Sequence, residues 1–146
     1  MSRPPSVQLA HAYGLPIGVA TARRVAAAAI AEGTRNGWTV AVAIVDPGGD
    51  LVFFERIDDT QAAGSHIACE KARTATRFKR STKLLEDALT GGRHAILGLP
   101  GAVPLEGGLP LIVDGKIIGA IGVSGATSQQ DGVCAQAGVD LLAASA

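Results

Sequence analysis

The chain has 146 residues, with 13 basic and 13 acidic side chains balancing to a formal charge of zero. One domain of this length buries a sufficient core without disulfides or a structural metal. Zero net charge excludes the basic field that nucleic-acid or membrane-surface binding requires. Five aromatic residues are too few for a base-stacking platform.

Residues 1–18 hold Pro4, Pro5 and Pro16 without periodicity and are expected to form an N-terminal arm, with a single domain over 19–146. No secretory signal follows Met1, and no apolar run approaches the ~20 residues of a membrane helix. Cys69 and Cys134 have no CxxC spacing, so a cytoplasmic protein with free thiols is expected. The first helix is expected from Thr21 as N-cap. Ala22, Val25, Ala26, Ala29 and Gly33 form its buried stripe, and Asn36-Gly37 ends it. Trp38 to Asp46 is β-branched and apolar on both faces, which predicts a central strand. A Pro47–Asp50 turn then returns the chain along Leu51 to Ile57 as a hairpin.

Asp58-Asp59-Thr60 is expected to cap a second helix from about Gln61 to Lys79. Its apolar stripe is Gly64, Ile67, Ala68, Ala75 and Phe78, and Lys71 falls near the middle of that stripe. His66, Glu70, Arg73 and Arg77 lie opposite. A short helix over Thr82 to Leu89 ends at Gly91-Gly92, and the chain to Pro104 reads as irregular. Glu106 to Pro110 breaks regular pairing before Leu111-Ile112-Val113 resumes a strand. Asp114-Gly115 signals a type I′ hairpin, with Lys116 to Ser124 as the partner strand. Gly119 and Gly122 inside that strand mark a bulge or another chain passing close by. A last helix runs from about Ser128 to Ala144, with Cys134, Ala137, Gly138, Leu141 and Leu142 as its buried stripe. This order implies an α+β domain with a mixed or antiparallel sheet covered by helices.

Several residues could carry chemistry. Lys71, in a small-residue pocket, is either an acid/base or anion holder or a lysine whose stem snorkels along the sheet to reach solvent or a carboxylate. Arg56 and Asp58 share a strand face and suit either a clamp for a polar ligand or a structural pair. Ser124-Gly125-Ala126-Thr127-Ser128, followed by Asp131, offers an anion-receiving loop. The alternative is that Ser124 or Ser128 caps the helix and Asp131 complements its dipole. The fifth position, Ala126, excludes a GxSxG nucleophile elbow. His66 and Glu70, at i and i+4, make a weak metal pair and read better as a solvated helix surface. His11, His66 and His94 are each available as an axial ligand to haem iron. The basic run Lys71, Arg73, Arg77, Lys79, Arg80 and Lys83 offers a patch for carboxylate-bearing ligands, or only a solvated face.

Together, Val45-Asp46-Pro47-Gly48-Gly49, Arg56-Ile57-Asp58, Lys71-Ala72-Arg73-Thr74-Ala75, Gly107-Gly108-Leu109-Pro110-Leu111, and Asp114 through Ala126 ending at Asp131 resemble the GlcG/HbpS-like family. That family also supplies the C-terminal domain of PduO-type proteins. The resemblance implies a profilin-like fold, with a five-stranded antiparallel sheet between helices in α/β/α layers. It also implies a symmetric homo-oligomer and binding of haem or a related tetrapyrrole, linked in some members to haem degradation or redox sensing. It assigns Arg56, Asp58, Lys71, Gly107, Gly108, Ser124, Gly125 and Asp131 to a ligand pocket. The competing expectation is a small catabolic enzyme, an isomerase, lyase or hydrolase, acting on an anionic carboxylate metabolite. There Lys71 would be the acid/base and Arg56 the clamp. The homo-oligomer is expected also because Gly119, Gly122 and the alanine stripes permit tight interfaces.

Overall fold

The computed structural model describes residues 11–145. In chain order the elements are β1 (Ala12–Tyr13), α1 (Val19–Arg35), β2 (Ala41–Val45), β3 (Leu51–Arg56), α2 (Ala63–Arg77) and α3 (Thr82–Thr90). A 3-10 turn (His94–Gly98) leads to β4 (Gly108–Val113), β5 (Lys116–Ser124) and α4 (Ser128–Ala144). Residues 1–10 of the expected arm lie outside the described residues. Residues 11–18 lie against the sheet: the Gly14 and Ile17 amides donate to Ile117 O and Ile118 O, and Ile17 is buried.

The five strands form one sheet centred on β5, which pairs antiparallel with β4 and with β2, while β2 pairs antiparallel with β3. The expected all-antiparallel sheet is corrected to a mixed one, because β1 runs parallel to β5 at Lys116 and Ile117. β1 reaches β5 through most of the chain, so no hairpin dictates its direction. Its docking is held from the other side of the fold. Tyr13 Oη donates to Thr76 O at 2.7 Å, and Lys79 Nζ lies 4.6 Å over the Tyr13 ring while donating to His11 O.

Residues of β2 alternate between two cores, as a doubly covered strand must. Val40, Val42 and Ile44 face α1 and α4, joined by Leu111, Ile121 and Val123. Ala41, Ala43 and Val45 face α2, whose Ala68, Ala72 and Ala75 close on them with Ala120. The layers are therefore α/β/α, and the alanines have a packing reason on the α2 side. α2 lies almost flush on the sheet. A methyl on Gly122 would collide with Ala68 O and sit 2.5 Å from Ala72 N, and one on Gly119 would collide with Val45 O. Both glycines are thus matched to this chain's own backbone, and a bulge leaves Ile118 without a register partner on β4 where the β4–β5 register shifts.

Local chemistry explains the shifted boundaries. α1 starts at Val19 behind Gly18, and Thr21 lies within its first turn rather than capping it. Asp59 takes φ 68° and Thr60 turns back onto Ile57 O, so α2 begins only at Ala63 with no side-chain cap. It ends at Arg77, since Lys79 adopts φ 53°. β4 starts at Gly108 rather than Leu111. It tolerates Pro110 as a strand with one unpaired edge. Asp114 and Gly115, at φ 52° and 74°, form the expected turn. The cap of α4 is Thr127, in a reciprocal box with Gln130, and neither Ser124 nor Ser128 caps it. Among the described residues no helix is long and apolar enough to cross a membrane.

Candidate functional site

The residues assigned to a ligand pocket gather at one end of the sheet, where β5 enters α4 and β3 leads to α2, and the candidate histidines do not join them. Arg56, Ala41 and Ser124 are cross-strand partners in one row over β3, β2 and β5. Beyond that row two places must be distinguished, one buried and one open.

The buried place is built on Lys71. Its side chain is 2% exposed and runs from α2 past the start of β4 to the end of β5. The ammonium donates to Val123 O and to Asp131 Oδ2, both at 3.0 Å. Gly107 and Gly108 are small because this lysine passes them. A Cβ at Gly107, at φ 133°, would lie 2.8 Å from Lys71 Nζ, and one at Gly108 would collide with Lys71 O. Thr82, the first residue of α3, fixes the same turn by accepting from the Gly108 amide at 2.9 Å. Asp131, 2% exposed, turns its other oxygen to the loop that precedes α4. The Ala126 amide donates to Oδ1 at 3.0 Å. Burial pushes the Asp131 carboxyl above its ordinary value, while Lys71 and the Ala126 amide pull it partway back.

The Gly125–Ala126 loop therefore does receive an anion, and in this structure that anion is the chain's own Asp131. Of the alternatives open for Lys71, the geometry shows the lysine that reaches a carboxylate. The pairing itself was not foreseen. The signal lay in two charged residues each set on a buried helix stripe, Lys71 on α2 and Asp131 on α4.

The open place is a cleft of about 620 Å³ at the end of β3, lined by Arg56, Asp58, Asp59, Thr60 and Ala62. Arg56 reaches Ser65 Oγ at 3.5 Å, and no ion pair joins it to Asp58 among the described residues. Thr60 separates cleft from buried pair, since its Cγ2 stands 3.0 Å from the position a Cβ on Gly125 would take. Asp59 and Thr60 read in the sequence only as helix-cap residues, and Ala62 carries no signal there.

The three histidines are apart from both places and from one another's elements. His66 is exposed on α2, and His94 is exposed at the start of the 3-10 turn. His11 precedes β1, with Nδ1 2.7 Å from Gly115 O. It borders a recess of about 210 Å³ shared with Lys79, Arg80, Ser81, Leu84, Pro110 and Ile112. Much of the basic run is engaged inside the chain. Arg73 binds Gly49 O and Glu70, Arg80 Nε donates to Phe78 O, and Lys83 pairs with Asp87. No group of three or more potential metal-ligating side chains occurs among the described residues. Cys69, half-buried, and Cys134, buried, are both free.

Comparison with known proteins shows relatives of the same fold. Protein GlcG of Escherichia coli K12 is 44% identical over 103 residues, covering 70% of this chain and 77% of GlcG. An uncharacterised 15.0 kDa protein from the dhaT-dhaS intergenic region of Citrobacter freundii is 35% identical over 129 residues, 85% of this chain and 90% of that one. Among solved structures, HbpS of Streptomyces reticuli aligns at TM-score 0.82 and 27% identity, over 97% of this chain and 98% of that chain. A PduOC:haem complex aligns at TM-score 0.78 and 28% identity, over 86% and 94%. The family model described as haem degrading protein HbpS-like matches residues 17–140, and the chain belongs to that HbpS-like family, to which GlcG, HbpS and PduOC are similar.

Proposed function

We propose that the chain binds haem or a related tetrapyrrole. The observation that carries this reading is the likeness, over 86% of the chain, to a domain solved with haem bound. The residues present fit such a group best beside His11. A planar, largely apolar dianion needs an apolar wall, cations for its carboxylates and a ligand for its iron. The His11 recess offers Leu84, Pro110 and Ile112 as wall, with Leu84 46% and Ile112 38% exposed, and Lys79 and Arg80 as cations. The Nδ1 contact to Gly115 O holds the ring at the rim of this recess. The cleft at Arg56 is walled by two aspartates and suits a dianion less well.

Bound haem would supply a redox-active iron, and haem degradation or redox sensing would draw on it. This chain's own residues would grip the propionates and cover one side of the ring. A recess of this size leaves the other side open, which supports a homo-oligomer in which a second copy completes the site. Residues of the Lys71–Asp131 cluster hold the sheet end in shape and do not touch the ligand. The test is haemin titration of the parent and of His11→Ala, His66→Ala and His94→Ala. Loss of the shifted Soret band in His11→Ala alone is expected. Equal binding by all three variants would overturn histidine ligation.

One observation favours a second reading, that of a small enzyme acting on a carboxylate metabolite. It is the open cleft with the exposed Arg56 guanidinium. On that reading Arg56 clamps the carboxylate, and Lys71, held by Asp131 and Val123 O, positions the loop behind the cleft. A carboxylate that binds the parent saturably and Arg56→Met not at all would support it. No binding across a broad set of metabolite acids would remove it.

A further inference from the structure

The Lys71 ammonium and the Ala126 amide converge on a single carboxylate in a water-excluded place. Each of these donors is directed at Asp131, and none of them belongs to the cleft. We propose that they form a preorganised receptor for one small carboxylate, of which Asp131 is the resident ligand. The receptor is a property of the surroundings, separable from the aspartate that fills it.

Three features make it separable. First, Lys71 is held by Val123 O as well as by Asp131, so the ammonium keeps a strand-end anchor when the carboxylate is gone. Second, Gly107 leaves the room in which Lys71 Nζ lies, and Thr82 fixes the adjoining turn through the Gly108 amide, without contribution from Asp131. Third, Thr127 and Gln130 cap α4 reciprocally, so the helix start does not depend on Asp131 for its cap. Truncating Asp131 therefore leaves a charged, donor-lined gap of carboxylate size, which water fills poorly and a matching acid fills well. In the intact chain the receptor is closed to external acids, which directs any ligand carboxylate to Arg56 or to the Lys79–Arg80 recess.

The experiment is carboxylate rescue. Asp131→Ala is melted in sodium formate, sodium acetate and sodium chloride at equal ionic strength, beside the parent and Lys71→Met/Asp131→Ala. Formate has the size of the group removed, so the melting temperature of Asp131→Ala should rise along a saturating single-site curve. Chloride should not reproduce it, and neither the parent nor the double variant should show it. In Asp131→Gly, which lacks the β-carbon as well, acetate should become the better rescuer. An equal response to chloride, or a formate response that survives loss of Lys71, overturns the proposal. Should Asp131→Ala fail to accumulate folded, its refolding yield from urea with and without formate is the readout, and equal yields overturn the proposal.

Discussion

Removing the Lys71 charge while keeping its stem, as in Lys71→Met, tests whether this lysine holds the fold. At the observed 3.0 Å and an effective dielectric of ~20, the attraction to Asp131 amounts to about 5–6 kcal/mol. Taking both ions out of water costs several kcal/mol each, so the pair gains little over an apolar pair of the same shape. Breaking it from one side is different, because the Asp131 carboxylate stays buried and loses its counter-charge. The expected loss is ~3–5 kcal/mol, against a total stability of about 5–15 kcal/mol. For a chain of this size that is a fall in melting temperature of roughly 10–15 °C. The sign of the pH dependence follows from Asp131, whose carboxyl burial already pushes upward. A raised folded value means that the group's contribution is most favourable below its unfolded value and is lost as pH rises through the folded one. Lys71→Met removes a downward pull, so its deficit should be largest at neutral and alkaline pH and should shrink on acidification. Urea unfolding at several pH values, with Lys71→Met/Asp131→Leu as partner, checks this. The double variant should recover most of the loss. A single variant within ~1 kcal/mol of the parent at pH 8, or a double variant no better than the single, would refute the reasoning.

Gly122→Ala should cost more than ~2 kcal/mol by overpacking α2 against β5, whereas Gly18→Ala, with nothing within 4 Å of the added methyl, should be nearly neutral by chemical denaturation. Thr127→Ala removes the α4 cap and should lower stability by ~1 kcal/mol in the same assay. Burial pushes the Cys134 thiol to about 11, with Asp131 adding to the rise. At pH 8 Cys134 should therefore resist thiol reagents until the chain unfolds, while the half-buried Cys69 reacts more slowly than a free thiol, as timed labelling with mass detection would show.

The secondary structure was legible where side-chain period and turn chemistry agree. The α1 stripe from Ala22 to Gly33, the Asp114-Gly115 turn and the extent of α4 all match the reading from sequence. Boundaries failed where a local hydrogen bond competes with the helix, as at Thr60, or where an edge position excuses a proline, as at Pro110. The direction of β1 was not legible, since it depends on Tyr13 and Lys79 meeting across 66 residues of chain. Gly119 and Gly122 read as a bulge or as room for another chain, and period alone does not say that the approaching backbone is the chain's own. For the site, Lys71 stood out as a charge on a buried face, while Asp131 read only as part of an anion-receiving loop or as a complement to the helix dipole. Only the fold shows that they answer each other, and that Arg56 and Asp58 open onto a separate cleft.

The claim at the centre of this account is that the fold holds haem, and a haemin titration of the unmodified chain, followed in the Soret band with stoichiometry per subunit, tests it most directly. A shifted band that saturates at a fixed ratio of haemin to subunit is the predicted result. Unshifted absorbance that grows without saturation would contradict it and leave the Arg56 cleft as the place to search for a ligand.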